Sequence, residues 1–600
     1  MQAVILAAGM GKRLNNLTQN NTKCMVKVHN RRLIDYILEG ISEVDLTRIV
    51  IVVGYEAQGL KDYLGDTYNN VAIEYVCNED YATTNNIYSL FLARDYLKKE
   101  DTILLESDLI FDKKIINRLI ADPRPNLAVV DKYKPWMDGT VVKIDQQENI
   151  LNFIPKKHFM FEESDQYYKT VNIYKFSQTF SKEVYCPFLK AYSKAMGKNE
   201  YYEQVLRVIS FIDKYGVSAF TLQGEKWYEI DDKQDLDNAE TVFAPKDEKL
   251  KAYQKRFGGY WRYPELLDFC YLVNPYFPTV RMEEEIKNYF HRLMREYPSG
   301  MGVQKILAAT SFNCHEHNVL VGNGAAELIP GLMNSLQGSI GIIHPTFNEY
   351  PERIETERIV ALHPENDDFS YDAQFIINNA SKFDNLVLIN PDNPSGNFIK
   401  PDGVIQILDH FKANNKTLVL DESFVDFSNE GESNSFINQE LIDNYPNLII
   451  VKSISKSYGV PGLRLGILVS ANEELLTAVQ KTLAIWNINS FGEFFLQIID
   501  KYKGDYYKGC VQIAQERDRF FGELNKFPFL TVFPSQANYF LCRLSGNLSA
   551  KKLTTNLLEG QDILIKDLTG KKGFEHGEFV RIAVRDENDN DRLLSALAQL

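Results

Sequence analysis

Cysteine is scarce and scattered. The seven present (Cys24, Cys77, Cys186, Cys270, Cys314, Cys510 and Cys542) form no CxxC pair, which excludes a zinc ribbon and a disulfide scaffold. Long apolar runs are missing: no stretch approaches the roughly 20 residues that a membrane-spanning helix needs. The start, MQAVILAAGMGKRL, lacks the basic head and extended apolar segment of a secretory signal. These absences predict a soluble, cytoplasmic protein with no membrane partner. Positive charge is in deficit, with 66 Lys and Arg against 81 Asp and Glu and a net charge of −15. That balance argues against nucleic acid as a partner, but leaves room for small anions met by a local field. Internal repeats and low-complexity tracts are absent too. What remains is an ordinary globular composition, 44% hydrophobic and 24% charged, with enough apolar material for more than one core. At about 150 residues per domain, the length suggests roughly four structural units.

Both halves of the chain alternate short apolar runs with amphipathic stretches, the pattern of an α/β fold with a mostly parallel sheet. In the first half Ala3–Ala8, Arg48–Val53, Ala72–Cys77 and Thr102–Leu105 read as strands, and Leu33–Ile41 and Ile87–Leu97 as helices. In the second, Val319–Val321, Gly341–Ile343, Leu386–Ile389, Thr417–Leu420 and Leu448–Val451 read as strands. Between the halves, PKDEKLKAYQKR (245–256) is charged with little to bury, as expected of a partly helical linker. The predicted division is 1–243, a linker over 244–259, and 260–600. The halves carry different motifs, so the chain is a fusion and not a duplication.

In the first half a strand runs into Leu6-Ala7-Ala8-Gly9-Met10-Gly11-Lys12-Arg13-Leu14. Glycines at such a turn let backbone N–H groups approach a polyphosphate, and a basic pair neutralises it. This is neither a dinucleotide fingerprint, since Leu14 stands at the third glycine, nor a P-loop, since Arg13 stands at the magnesium-binding Ser or Thr. Lys23 follows. Asp108 ends a strand in Leu105-Glu106-Ser107-Asp108, where parallel sheets bind ligands, and Asp231 closes Trp227-Tyr228-Glu229-Ile230-Asp231. Two remote carboxylates of this kind can share one Mg²⁺; taken singly, each also reads as a cap or a solvated strand end.

This ordered set resembles the sugar-phosphate and choline-phosphate nucleotidyltransferases over about residues 1–243. Asn78-Glu79-Asp80-Tyr81-Ala82-Thr83-Thr84-Asn85-Asn86-Ile87-Tyr88-Ser89-Leu90 is similar to the phosphocholine cytidylyltransferase branch. One departure is Thr22-Lys23, where the family usually has Pro-Lys. The resemblance implies a Rossmann-like domain in which a phosphate or phosphonate oxygen attacks the α-phosphorus of CTP and pyrophosphate leaves. It implies that Leu6, Ala8, Gly9, Gly11, Arg13, Lys23, Asn85 and Asp108 bind the nucleotide. Lys23 would be catalytic, bridging the α-phosphate and the incoming anion, and Asp108 and Asp231 would hold Mg²⁺. On the acceptor side it points to Asn86, Lys132 and Asp138. A quaternary ammonium would want an aromatic cage and a primary ammonium a carboxylate; Asp138 is the expected carboxylate, though Asp138-Gly139 is also an ordinary turn pair.

In the second half Ser453-Ile454-Ser455-Lys456-Ser457 precedes Gly462-Leu463-Arg464-Leu465-Gly466. A lysine that forms a Schiff base with an aldehyde cofactor needs neighbours that grip the cofactor's phosphate. Asn390-Pro391-Asp392-Asn393-Pro394-Ser395-Gly396 and Asp421-Glu422-Ser423-Phe424 complete a set that resembles the class I/II aminotransferases of fold type I. The closest branch looks like histidinol-phosphate aminotransferase and threonine-phosphate decarboxylase, over about 260–600, a large and a small lobe. The resemblance implies pyridoxal 5'-phosphate and a homodimer. Lys456 would be the Schiff-base lysine. Asn393 would contact the ring hydroxyl, Asp421 the ring nitrogen and Phe347 the ring face. Ser453, Ser455, Arg464 and the helix start at Gly324-Ala325-Ala326 would hold the phosphate. Tyr297 would reach across the dimer interface, and Arg581 would bind the carboxylate of an amino-acid donor. Phe424 stands where many relatives have tyrosine, which removes one hydrogen bond to the ring hydroxyl and predicts a modestly higher pKa for the Schiff-base nitrogen. Trp486-Asn487-Ile488-Asn489 reads equally as pocket lining or packing, and His315-Glu316-His317 as a surface loop rather than a metal site.

Joined, the halves resemble a 2-aminoethylphosphonate cytidylyltransferase fused to its aminotransferase. Phosphonoacetaldehyde would be aminated, and the resulting 2-aminoethylphosphonate would then receive a cytidylyl group from CTP. The alternative is a decarboxylase of a phosphorylated amino acid fused to a phosphoethanolamine or phosphocholine cytidylyltransferase. A binding or regulatory protein with degenerate sites is disfavoured, because Lys23, Asp108, Asp231, Asp421 and Lys456 are all retained.

Overall fold

The computed structural model describes residues 1–212 and 216–600, in two compact units, Met1–Arg262 and Tyr263–Leu600. The first is built on a ten-stranded mixed sheet. Its centre is parallel: Gln2–Ala7 lies between Ile49–Val53 and Thr102–Glu106, and Val71–Cys77 continues the set beyond Ile49–Val53. Tyr168–Phe176 joins Thr102–Glu106 antiparallel. The central strand is apolar at nearly every position because both faces are covered. Ala3, Ile5 and Ala7 enter one core and Val4 and Leu6 the other, the period-two alternation of a strand. Helices Leu33–Gly40 and Asn86–Leu97 cover opposite faces, with Ile34 and Ile37 in the first core and Ile87 and Leu90 in the second.

The charged stretch expected as a linker belongs to this unit. It forms the helix Lys246–Gln254, which packs on the helix Lys233–Val242. Leu250, Tyr253 and the stem of Lys249 are buried. Arg256 pins the far end, with Nε donating to Thr241 at 3.0 Å and a guanidinium N 2.6 Å from Asp237. Two apolar residues and a buried lysine stem suffice for docking, too little for composition to reveal. The first unit runs to Arg262 and so takes in the stretch 244–259 expected as a linker.

The second unit has a seven-stranded sheet in the order Val319–Asn323, Leu465–Ser470, Leu448–Ser453, Thr417–Asp421, Asn385–Ile389, Ile340–Ile343, Ile359–Leu362. All neighbours are parallel except around Leu465–Ser470, which is antiparallel to both of its partners. A smaller antiparallel sheet holds Leu530–Val532, Tyr539–Leu544, Glu578–Ala583 and Lys566–Asp567. The strands expected from sequence fall within one or two residues of these bounds. All seven cysteines are free, and among the described residues no helix is long and apolar enough to cross a membrane.

Candidate active sites

In the first unit the chain leaves Gln2–Ala7 and turns at Gly11, whose φ is +59°. A Cβ there would also come within 3.0 Å of the Thr18 methyl and 3.2 Å of Lys23, so both conformation and space demand glycine. Thr22, in place of the family's proline, reaches the carbonyls of Ala7 and Gly9 at 3.4 Å each, long for hydrogen bonds but aimed at the turn. Asn85 caps the helix Asn86–Leu97 by accepting the Asn86 N–H at 2.8 Å. A cavity of about 280 Å³ gathers Leu6, Ala8, Gly9, Gly11, Arg13, Lys23, Asn85 and Asp108, all the expected nucleotide ligands, together with Asp231.

Two Glu-x-Asp pairs face each other below that cavity. Leu109–Phe111 pairs antiparallel with Trp227–Glu229, Glu229 opposite Leu109, which brings Glu106-Ser107-Asp108 beside Glu229-Ile230-Asp231. Oxygens of Asp108, Glu229 and Asp231 lie within 4.8 Å of one another. Lys23 Nζ bridges Asp108 at 2.5 Å and Asp231 at 2.6 Å, Arg13 meets Asp231 at 2.7 Å, and Lys169 meets Glu229 at 3.3 Å. Burial works against the Lys23 ammonium, yet the two aspartates hold its pKa above the ordinary lysine range. Asp231 sits below the usual carboxylate range despite burial, because Lys23 and Arg13 face it. Glu106 and Glu229 go the other way. Burial, reinforced by Asp108 and their other acidic neighbours, pushes Glu106 well up and Glu229 to about 7. Carboxylates thus outnumber local cations, and Asp108 Oδ1 is buried without a partner. The donor set is all oxygen, as Mg²⁺ requires, so these residues fit that ion.

A second cavity, of about 810 Å³, shares Arg13, Lys23, Asn86, Glu106, Asp108 and Asp231 with the first and adds Asp138, Lys156, Lys169, Glu203 and Glu229. Asn86 and Asp138 line it as expected. Asp138 is half-exposed and already committed: it accepts from Lys156 at 2.7 Å and from the Gly139 N–H at 2.8 Å, and these contacts overcome burial to lower its pKa. Lys132 does not line it. Its ammonium donates to the Asp165 carbonyl and lies 4.6 Å from the Tyr168 ring centre, because strand alternation carries it away from the cavity side.

In the second unit Lys456 sits just past Leu448–Ser453, its ammonium 4.3 Å from the Phe424 ring centre and 5.1 Å from that of Phe347. Burial lowers its pKa to about 8, with Arg581 and Arg464 helping and Asp421 opposing. Asp421 accepts from the Tyr350 hydroxyl at 2.8 Å and the Ser423 N–H at 2.9 Å. Asn393 Oδ1 accepts from Arg581 at 2.7 Å, which turns its amide N–H groups elsewhere. Arg581 also donates to the Cys270 carbonyl at 2.7 Å, while its Nε is buried without a partner. Gly324, at φ +77°, opens the helix Ala325–Ser335, and a Cβ there would lie 2.8 Å from the Arg464 guanidinium. Ser453 ends its strand beside this turn. Ser455, expected as a phosphate ligand, is instead engaged with the backbone: its hydroxyl donates to the Leu465 carbonyl at 3.2 Å and accepts the Leu465 N–H at 3.1 Å. It fixes the turn that carries Arg464. Tyr297 is 79% exposed and stacks on Trp486 with ring centres 4.5 Å apart. A partly buried lysine, a buried aspartate and a glycine-opened helix beside an arginine form a donor set that fits pyridoxal phosphate.

The family profile for aminotransferase class I and II matches residues 282–597, and that for nucleotidyl transferase matches residues 2–240. The chain belongs to the class I and II aminotransferases, with a nucleotidyltransferase domain ahead of the aminotransferase unit. It is an enzyme with both kinds of domain. Over its whole length the chain is 29% identical to CMP-5'-(3-aminopropyl)phosphonate synthase of Streptomyces rubellomurinus, covering 95% of that relative. Over 56% of the chain it is 32% identical to L-serine phosphate decarboxylase of Sulfurospirillum multivorans, covering 88% of it. The solved histidinol-phosphate aminotransferase of Clostridium acetobutylicum matches with a TM-score of 0.50 at 30% identity, over 56% of this chain and 98% of that one.

Around this aminotransferase unit and its companion, several partners escaped the sequence reading. Tyr350 behind Asp421 and the Cys270 carbonyl behind Arg581 are remote in sequence and leave no motif. Glu106 and Glu229 did leave one: each stands two residues before an expected metal ligand at a strand end, and strand residues at that spacing share a face.

Proposed function

We propose that the protein is a bifunctional enzyme of phosphonate biosynthesis. Its second unit aminates phosphonoacetaldehyde to 2-aminoethylphosphonate at the expense of an amino-acid donor. Its first unit joins that product to CTP, giving CMP-2-aminoethylphosphonate and pyrophosphate. The observation that carries this reading is the wall shared by the two cavities of the first unit. A nucleotide entering one and a phosphonate entering the other meet at Lys23. There the ammonium pulls two anions together, and the phosphonate oxygen displaces pyrophosphate in line from the α-phosphorus. Gly9, Gly11 and Arg13 hold the leaving phosphates. Mg²⁺, held by Asp108, Glu229 and Asp231, would neutralise charge as it develops.

In the second unit pyridoxal phosphate, when bound, supplies an electron sink. Asp421, backed by Tyr350, would hold a proton on the ring nitrogen, and Asn393 would donate to the ring hydroxyl. Phe347 covers the ring. Arg464, Ser453 and the N–H groups at Gly324-Ala325-Ala326 hold the phosphate, with Ser455 positioning Arg464. Arg581 takes the donor carboxylate, and its unpaired Nε is the hydrogen bond waiting for it. Lys456 would carry the cofactor and shuttle a proton to and from the amine carbon. A second copy of the chain docks on this unit and meets Tyr297. Its cofactor residues serve decarboxylation equally well. That second reading, release of CO₂ from a phosphorylated or phosphonylated amino acid, is favoured by the decarboxylase relative.

Incubating the protein with phosphonoacetaldehyde, alanine or glutamate, CTP and Mg²⁺ separates the two. The expected outcome is equimolar keto acid and pyrophosphate. No keto acid, with CO₂ released from phosphoserine or phosphothreonine, would establish the second reading instead.

A further inference from the structure

Of the carboxylates lining the larger cavity that belong to neither the metal cluster nor, among the described residues, any ion pair, one is buried. Glu203 opens the helix Glu203–Ser210, is 5% exposed, and lines the cavity. Its Oε2 is buried with no hydrogen-bond partner. Its nearest cation, Lys169, is spent on Glu229 at 3.3 Å and on the Thr170 carbonyl at 2.5 Å. Asn86 ties the residue before Glu203 to the strand end opposite: its Nδ2 donates to Glu106 at 2.9 Å and its Oδ1 accepts the Tyr202 N–H at 3.1 Å. Two carboxylates are thereby held close enough for each charge to act on the other, while Lys156 occupies Asp138.

We propose that Glu203, seated beside Glu106 by Asn86, is the site for a primary ammonium group on the acceptor, and that it makes the first unit selective for aminoalkyl phosphonates over trimethylammonium analogues. A buried carboxylate oxygen lacking a donor is costly until one arrives, and an ammonium brings three N–H groups. A trimethylammonium brings none and is recognised by aromatic faces. Among the described residues the cavity offers it only Tyr201, and nearby Trp136 is stacked on Tyr228 with ring centres 4.3 Å apart. The assignment rests on the reading of the first unit as a cytidylyltransferase for such acceptors. It moves the ammonium site from Asp138 to the cavity floor.

The test measures pyrophosphate release from CTP with 2-aminoethylphosphonate, ethylphosphonate and the trimethylammonium analogue, using wild type, Glu203→Gln and Glu203→Asp. Losing one charge-assisted hydrogen bond raises KM for the amine by roughly 10- to 100-fold in Glu203→Gln, with KM for CTP and for ethylphosphonate unchanged. Glu203→Asp recovers part of the amine preference. Retained amine preference in Glu203→Gln, or an equal loss with all acceptors, overturns the assignment. Failure of the wild type to release pyrophosphate with any acceptor overturns the cytidylyltransferase reading, and the assignment with it.

Discussion

Lys456 shows how burial prepares a nucleophile. Burial, with Arg581 and Arg464 nearby, pushes its amine down to about 8 from the ordinary 10.5. The protonated form cannot attack an aldehyde, so cofactor loading by the cofactor-free protein should accelerate as pH rises through about 8 and level off above. Absorbance-monitored mixing with pyridoxal phosphate, from about pH 6 to about pH 10, checks this. A midpoint near that of free lysine would contradict it. At this scale the sequence was most legible where motifs carry chemistry: the structure brings Lys23 to Asp108 and Asp231, and Asp421 and Arg581 near enough to Lys456 to act on its charge. It was least legible where a side chain acts through a neighbour. Ser455 was assigned to phosphate by motif position, yet its hydroxyl holds the Leu465 backbone, a contact no spacing rule encodes. Lys132 was assigned by proximity in the chain to Asp138, and strand alternation sends it elsewhere.

Elements place these side chains by bringing backbone close to backbone. The strand Leu465–Ser470 passes under the start of the helix Ala325–Ser335, where a Cβ on Gly466 would lie 2.2 Å from the Ala325 nitrogen. No side-chain motion relieves such a clash, so Gly466→Ala must push the helix start, and the N–H groups it presents, away from the cofactor phosphate. Overpacking of this kind costs about 1–3 kcal/mol. Fluorescence titration should show pyridoxal phosphate bound roughly tenfold or more weakly, while pyrophosphate release by the first unit stays unchanged. The glycine was visible in Gly462-Leu463-Arg464-Leu465-Gly466, but the reason for it was not. Its partner stands far away in sequence and meets it only through the antiparallel pairing of Gly322 with Gly466. The central parallel strands were legible because burial on both faces writes unbroken apolar runs.

At the scale of the whole molecule the second unit exposes large apolar side chains along one helix. Along the helix Val280–Arg295 and just beyond, Val280 is 70% exposed, Met294 56% and Tyr297 79%. Exposed apolar side chains gathered along one helix suit an interface, and a second copy of the chain is the proposed occupant. Light scattering should report a dimer. Val280→Glu combined with Met294→Glu should shift it to monomer and depress the cofactor-dependent reaction while sparing pyrophosphate release. A double variant that stays dimeric would place the contact elsewhere. The fusion itself was plain from the two motif sets, whereas the boundary was not, because a helix with three buried residues among charged ones resembles a linker in composition. That helix carries a practical consequence. A gene fragment stopping at codon 243 would encode a first unit stripped of the helix Lys246–Gln254, baring what Leu250 and Tyr253 cover and leaving Asp237 and Thr241 without Arg256. One stopping at codon 262 keeps the clasp shut, and is the piece to express for crystals of the first unit by itself.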